Sequence, residues 1–315
     1  MSRMKVFAIS LGMAAVLYSG AALAAEPDSC KKVRFSDVGW TDITSTTATA
    51  SVILKALGYE PDVQVLSVPV TYASLKAKNI DVFLGNWMPT MEADIKPYQD
   101  DKSVDTLVVN LEGAKYTLAV PTYTYDEGLK DFADIAKFKD KLDGKIYGIE
   151  AGNDGNRLIL KMIEDNKFDL SGFELVESSE AGMLSAVTKA AGSKKDVVFL
   201  GWEPHPMNAM VDMKYLTGGD DVFGPNFGGA TVSTNVRAGY ATECPNVGKF
   251  LTNLIFSLKM ENEIMGSILN DGAEPQAAAT AWLKANSDTV TPWLNGVTTF
   301  DGGDAAGAVK SALGL

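Results

Sequence analysis

Two kinds of apolar pattern alternate along the chain. Short β-branched runs, such as those in KKVRFSDV (31–38), DVQVLSVP (62–69) and IDVFLGNW (80–87), predict strands. Between them, ITSTTATASVILKALGY (43–59), stopped at Gly58, and VTYASLKAKN (70–79) predict helices, and MPTMEADIKPYQDD (88–101) is helical in part. The order β-α-β-α-β is that of a mostly parallel sheet with helices on its faces. The pattern restarts after Gly113. KYTLAVPTYTY (115–125), KIYGIEAG (145–152), FELVESS (173–179) and DVVFLGWEP (196–204) predict strands. KDFADIAKFKDKLDG (130–144), RLILKMIEDNK (157–167) and EAGMLSAVTKAAGSKK (180–195) predict helices between them. Residues 218–229 are turn-rich and predict a connection. Beyond Pro245 come helices in VGKFLTNLIFSL (247–258), MENEIMGSILND (260–271) and PQAAATAWLKA (275–285).

This layout predicts an α/β protein of two lobes, each with a mostly parallel sheet flanked by helices. Lobe 1 is discontinuous, residues 25–114 plus 225–315, and lobe 2 is residues 115–224. The chain then crosses between lobes near Gly113–Tyr116 and Phe223–Gly229. Ligands of open α/β sheets bind outside the carboxyl ends of the strands, so a cleft between the lobes is the expected site.

Composition changes this picture at one end. Arg3 and Lys5, the apolar run Val6–Val16 and Ala22-Leu23-Ala24 have the order of a secretory signal peptide, residues 1–24. An exported, periplasmic protein can keep disulfides. Cys30 and Cys244 are the two cysteines, and an even count in an oxidising compartment predicts a bond between them. The formal net charge of −12 argues against nucleic acid as a partner and mildly favours cationic ligands. One histidine, His205, leaves little material for a metal cluster or a Ser-His-Asp arrangement, and no cofactor motif is found.

Tryptophan is placed in a pattern. Trp40, in DVGWTD, Trp87, in FLGNWMP, and Trp202, in FLGWEPH, all follow predicted strands. Tyr116 lies where the chain enters the second lobe. Trp282 and Trp293 sit in helical context and are expected in the C-terminal core. Rings at strand exits, rather than inside strands, predict an aromatic box facing the cleft. Its preferred guest is a quaternary ammonium, which has no N–H to donate and is held by π faces. Asp42 serves either as the counter-charge to such a cation or as a helix N-cap. Asn153, between a strand and a helix, either caps that helix or donates an amide N–H to a polar ligand group.

These motifs, with the GIEAGND turn at 148–154, resemble those of the periplasmic substrate-binding proteins of ABC importers in the glycine betaine and choline class, and most of all the choline-binding members. The resemblance implies a Venus-flytrap fold and delivery of ligand to a membrane permease by a monomer. It also implies a ligand set of Trp40, Asp42, Trp87, Tyr116, Asn153 and Trp202, with Asp42 and Asn153 at the hydroxyl end of choline. It implies no catalysis and no cofactor. Glycine betaine, acetylcholine and proline betaine are the alternative ligands in that class. A choline-ester hydrolase is the alternative from another class.

Overall fold

A computed structural model describes residues 26–315. The signal peptide expected over residues 1–24 lies outside the described residues. The described residues form nine strands: β1 (Lys32–Asp37), β2 (Glu60–Val65), β3 (Val82–Met88), β4 (Val104–Pro121), β5 (Lys145–Tyr147), β6 (Glu174–Val176), β7 (Phe199–Glu203), β8 (Met213–Tyr215) and β9 (Gly229–Arg237). The helices that bear on the site are α1 (Thr41–Ala56), α2 (Val68–Lys76), α3 (Glu92–Asp100), α4 (Thr122–Asp126), α5 (Asp154–Glu164) and α6 (Glu180–Gly192). Among the described residues no helix is long and apolar enough to cross a membrane.

The strand order is β2-β1-β3-β9-β4-β7-β5-β6, with β8 on β4. At one end β1 pairs in parallel with β2 and β3; at the other, β5 pairs in parallel with β6 and β7. These are the two expected parallel units. They are joined into one continuous sheet by β4 and β9, which pair antiparallel with each other and with their neighbours. The handover occurs at Lys115, which faces Gly229 of β9 on one side and Glu203 of β7 on the other. The resulting architecture is a two-lobed α/β fold with its lobes spanned by two long strands.

Both joining strands depart from the sequence reading. β4 begins at Val104, well before the expected start at Lys115, and β9 occupies a segment with no predicted element. β9 is buried along most of its length, so no polar face marks it, and Thr234, Asn235 and Arg237 are paired. Asn235 accepts from Thr106 Oγ1 at 2.9 Å, and Thr234 accepts from Asn110 Nδ2 at 3.0 Å. Arg237 Nε donates to Asp81 Oδ1 at 2.7 Å, and Arg34 holds the same carboxylate at 2.6 Å. Three neighbouring strands, β1, β3 and β9, thereby share one buried carboxylate.

Helix α1 is buried along almost its whole length despite the sequence TDITSTTATAS. Some of its hydroxyls bond back to its own carbonyls, Ser45 to Asp42 O at 2.8 Å and Thr49 to Ser45 O at 2.8 Å, whereas the buried hydroxyls of Thr47 and Ser51 have no protein partner. The helix predicted over 247–258 breaks instead. One helix ends at Asn253 and another, Leu258–Leu269, begins after the Ser257 cap. Trp293 is in the core, but Trp282 is only half-buried, its indole N–H donating to Glu263 at 2.7 Å. A disulfide joins Cys30 to Cys244 across 214 residues and ties the chain start to the segment after β9.

Candidate functional site

The carboxyl ends of β1, β3 and β7 converge on a small cavity. Its walls are Trp40, Asp42, Trp87, Tyr116, Ile149, Asn153, Asp154 and Trp202. All six residues singled out in the sequence are among them.

Each wall is placed by a local feature. Gly39 takes φ +82°, turning the chain from β1 into α1 and setting Trp40 as the N-cap residue. Trp87 and Trp202 occupy the ends of β3 and β7 just before cis Met88-Pro89 and Glu203-Pro204 bonds. Gly85 is needed upstream of Trp87, since a Cβ there would meet the Ile43 side chain at 2.7 Å. Tyr116 reaches its position on β4 because Gly155 lies under its hydroxyl; a Cβ at 155 would fall 2.1 Å from that oxygen. The ring of Tyr116 stands 5.9 Å from Trp87 and 6.2 Å from Trp202, edge-on to the latter.

The polar members are bound to these rings. Asp42 is 1% exposed and accepts the Trp87 indole N–H at 3.0 Å through Oδ2, while Oδ1 has no protein partner. It lies in the first turn of α1 and is not the N-cap. Asn153 is the N-cap of α5. Its Oδ1 accepts from Asn156 N and from the Tyr116 hydroxyl, both at 3.0 Å, and Nδ2 donates to Asp154 Oδ1 at 3.0 Å. The capping role expected for Asn153 is therefore present, and one amide hydrogen remains to it. Asp154 is fully buried and its Oδ2 has no protein hydrogen-bond partner.

Burial pushes the Asp42 carboxyl up from 3.8 to about 8, assisted by the nearby charge of Glu180 and opposed by the Trp87 N–H. Burial likewise pushes Asp154 up to about 7. Two carboxyls that hold their protons near neutrality, each with an open oxygen, face a cavity whose lining contains no basic side chain. Such a cavity attracts a small cation, and the rings add π faces. Among the described residues no cluster of three or more His, Cys, Asp and Glu could hold a metal ion.

Sequence reasoning missed Ile149 and Asp154 of the lining, and Glu150 and Glu180 behind it. Asp154 was visible in the GIEAGND turn, adjacent to Asn153. Glu150 accepts the Trp40 indole N–H at 2.7 Å, and no local pattern signals that contact. His205, the chain's one histidine, is buried and stands edge-on to Trp202 at 4.8 Å.

Comparison with known proteins follows this geometry. A model for the substrate binding domain of an ABC-type glycine betaine transport system matches residues 31–285. A solved ABC-transporter choline binding protein in complex with choline is 70% identical, with a TM-score of 0.90, and the match covers 91% of this chain and 100% of that one. Lactococcal OpuAC, in its closed-liganded conformation complexed with glycine betaine, is 28% identical, with a TM-score of 0.76, covering 84% of this chain and 99% of that one. An uncharacterized protein of Chromohalobacter salexigens is 57% identical over 129 residues, which is 41% of this chain and 83% of the other. With its two-lobed fold and a match across most of its length, this chain belongs to the family of substrate-binding domains of ABC-type glycine betaine transport systems.

Proposed function

We propose that this protein binds choline in the periplasm, as a monomer, and delivers it to the permease of an ABC importer without acting on it chemically. The observation that carries the reading is the pairing of four aromatic walls with two buried, partly unsatisfied carboxyls and no basic group. A trimethylammonium head is large, diffuse in charge and cheaply desolvated, so ring faces supply both contact and attraction. Its charge replaces the proton on Asp42. The hydroxyl arm meets the remaining amide hydrogen of Asn153 and the open oxygens of Asp42 and Asp154. Glycine betaine would instead bring a carboxylate toward two carboxyls, which must then stay protonated and forgo the charge pairing choline gains, or ionise at a Coulombic cost. The high identity to a choline complex supports the same ligand.

Closure follows the proposed division into residues 25–114 plus 225–315 and residues 115–224. Its crossing segments lie at Gly113–Tyr116 and Phe223–Gly229. The change of partner of β4 at Lys115 and the positive φ of Gly113, Gly224 and Gly228 support a hinge there. The Cys30–Cys244 disulfide supports an oxidising compartment.

Titration by tryptophan fluorescence against choline, glycine betaine and acetylcholine tests the reading. Choline is expected to saturate the signal at the lowest concentration. A protein that binds glycine betaine and ignores choline overturns it. Release of acetate from acetylcholine would favour the hydrolase alternative. His205 is poorly suited to serve as a base there, because its Nδ1 already accepts from Met207 N at 2.9 Å and its Nε2 faces Glu180.

A further inference from the structure

Helix α1 opens without a cap of its own. Its N-cap residue is Trp40, whose side chain cannot accept a hydrogen bond, and the first turn of any helix carries unpaired N–H groups. The missing acceptor comes from across the cleft. Glu180, the first residue of α6, accepts the Thr41 backbone N–H through Oε2 at 2.8 Å and the Thr41 hydroxyl through Oε1. Glu180 is 5% exposed and does not line the ligand cavity.

Glu180 is itself held from behind. Because His205 Nδ1 accepts the Met207 N–H, the ring proton of the neutral imidazole sits on Nε2, which donates to Glu180 Oε1 at 3.2 Å. The same imidazole braces Trp202. A buried line of contacts thus runs from Trp202 through His205 and Glu180 to Thr41, between Trp40 and Asp42. It joins the ring wall on β7 to the helix that carries the opposite wall.

We propose that Glu180 is a latch: it caps α1 from the other lobe and holds the cleft closed over the ligand. Opening the cleft strips Thr41 of its acceptor and leaves the carboxylate to water. Three other bonds span the cleft: Trp40 to Glu150, Arg157 to Asp94 at 2.6 Å, and Arg157 to the Thr90 carbonyl at 3.0 Å. The Arg157 side chain is 39% exposed, and ion pairs so open to solvent contribute little. The Glu180 contact is buried and made by a charged acceptor, the stronger kind. It also couples closure to charge. Latching brings Glu180 toward Asp42 and raises the proton affinity of that carboxyl, so a cation in the cavity relieves what closure concentrates.

The latch rests on the choline reading only for its probe. Stopped-flow fluorescence measures release of bound choline from wild type, Glu180→Ala, Thr41→Val and the double variant. Glu180→Ala is expected to release choline about tenfold faster or more, as loss of a charged hydrogen bond implies, with an on-rate close to wild type. Thr41→Val, which keeps the backbone N–H, falls between. The double variant releases no faster than Glu180→Ala, because both remove one contact. Unchanged release in Glu180→Ala overturns the latch. So does a drop in ligand-free melting temperature that matches the faster release, which would assign Glu180 to the stability of its own lobe. If wild type ignores choline but closes on another quaternary ammonium compound, the choline reading fails, and the same rates measured with that compound still decide the latch.

Discussion

The two Phe-Leu-Gly stretches, 83–85 and 199–201, lead to tryptophans in equivalent places that are held by different forces. Trp87 is pinned electrostatically: its indole N–H enters the buried carboxyl of Asp42 at 3.0 Å. Trp202 is pinned by packing, edge-on to Tyr116 and to His205, and its indole N–H finds no protein acceptor among the described residues. One wall of the box is therefore wired to the group that sets its charge, and the other is a ring braced by rings. Damage to the first wall should disturb charge and shape together. Damage to the second should disturb shape alone.

Truncation is the harshest test of that contrast. Trp202→Ala should weaken choline binding by about 2 kcal/mol, the loss of one desolvated cation–π wall. Trp87→Ala should cost about 3 kcal/mol, because it also leaves the Asp42 carboxyl without its donor. The phenylalanine pair sharpens the point. Trp202→Phe keeps a ring and loses no hydrogen bond, whereas Trp87→Phe keeps a ring and orphans Asp42. Calorimetric titration of all four variants checks this, and equal losses in the two phenylalanine variants would erase the distinction.

Asp42→Asn comes next in size. The amide oxygen can still accept from Trp87, so the wall stays in place while the charge goes. Choline binding should fall by about 1.5 kcal/mol, and glycine betaine should gain, so the preference narrows from both sides. Paired calorimetric titrations with the two ligands measure it. An unchanged choline-to-betaine ratio would mean that Asp42 only orients Trp87.

The smallest expected effect is a proton count. Asp42 has its carboxyl raised from 3.8 to about 8, and Asp154 has its own raised to about 7. A carboxyl with a raised value favours the folded, closed cavity while protonated. That contribution is full below about pH 4 and is lost as pH rises through about 7 to 8. The melting temperature of the ligand-free protein should therefore fall over this window, and the stabilisation by choline should grow. Binding near neutrality should release protons, which calorimetry in buffers of different ionisation enthalpy detects. Asp42→Asn should lose most of that release, while Trp202→Phe should keep it.

Much of the frame was legible in the chain. The alternation of β-branched runs with amphipathic stretches marks both parallel units, because each element there has a local period of its own. Tryptophans near strand ends mark the box, although Trp87 and Trp202 prove to lie in the last residues of β3 and β7 and only Trp40 follows its strand, and the even cysteine count marks the disulfide. The early part of β4 and the whole of β9 were not legible. Asn110 is buried against Thr234 and the Leu84 carbonyl of β3, and Asn235 is buried against Thr106 of β4 and Tyr72 of α2, so these polar positions give no solvent-facing alternation. Asp154 was visible in the same turn as Asn153 but not distinguished there, since a turn rich in Asn and Asp is ordinary in either role.

By itself, then, the amino-acid sequence determined the local elements, the residue types available to the cleft, and the positions of the rings at strand ends. Only the tertiary structure decided that two long strands fuse the sheets, that Asp42 holds Trp87, and that Glu180 caps a helix lying 139 residues earlier in the chain. The division has a physical cause. Strand and helix periods are set by neighbours a few residues apart, whereas the state of a buried carboxyl is set by whichever donors and charges folding brings beside it.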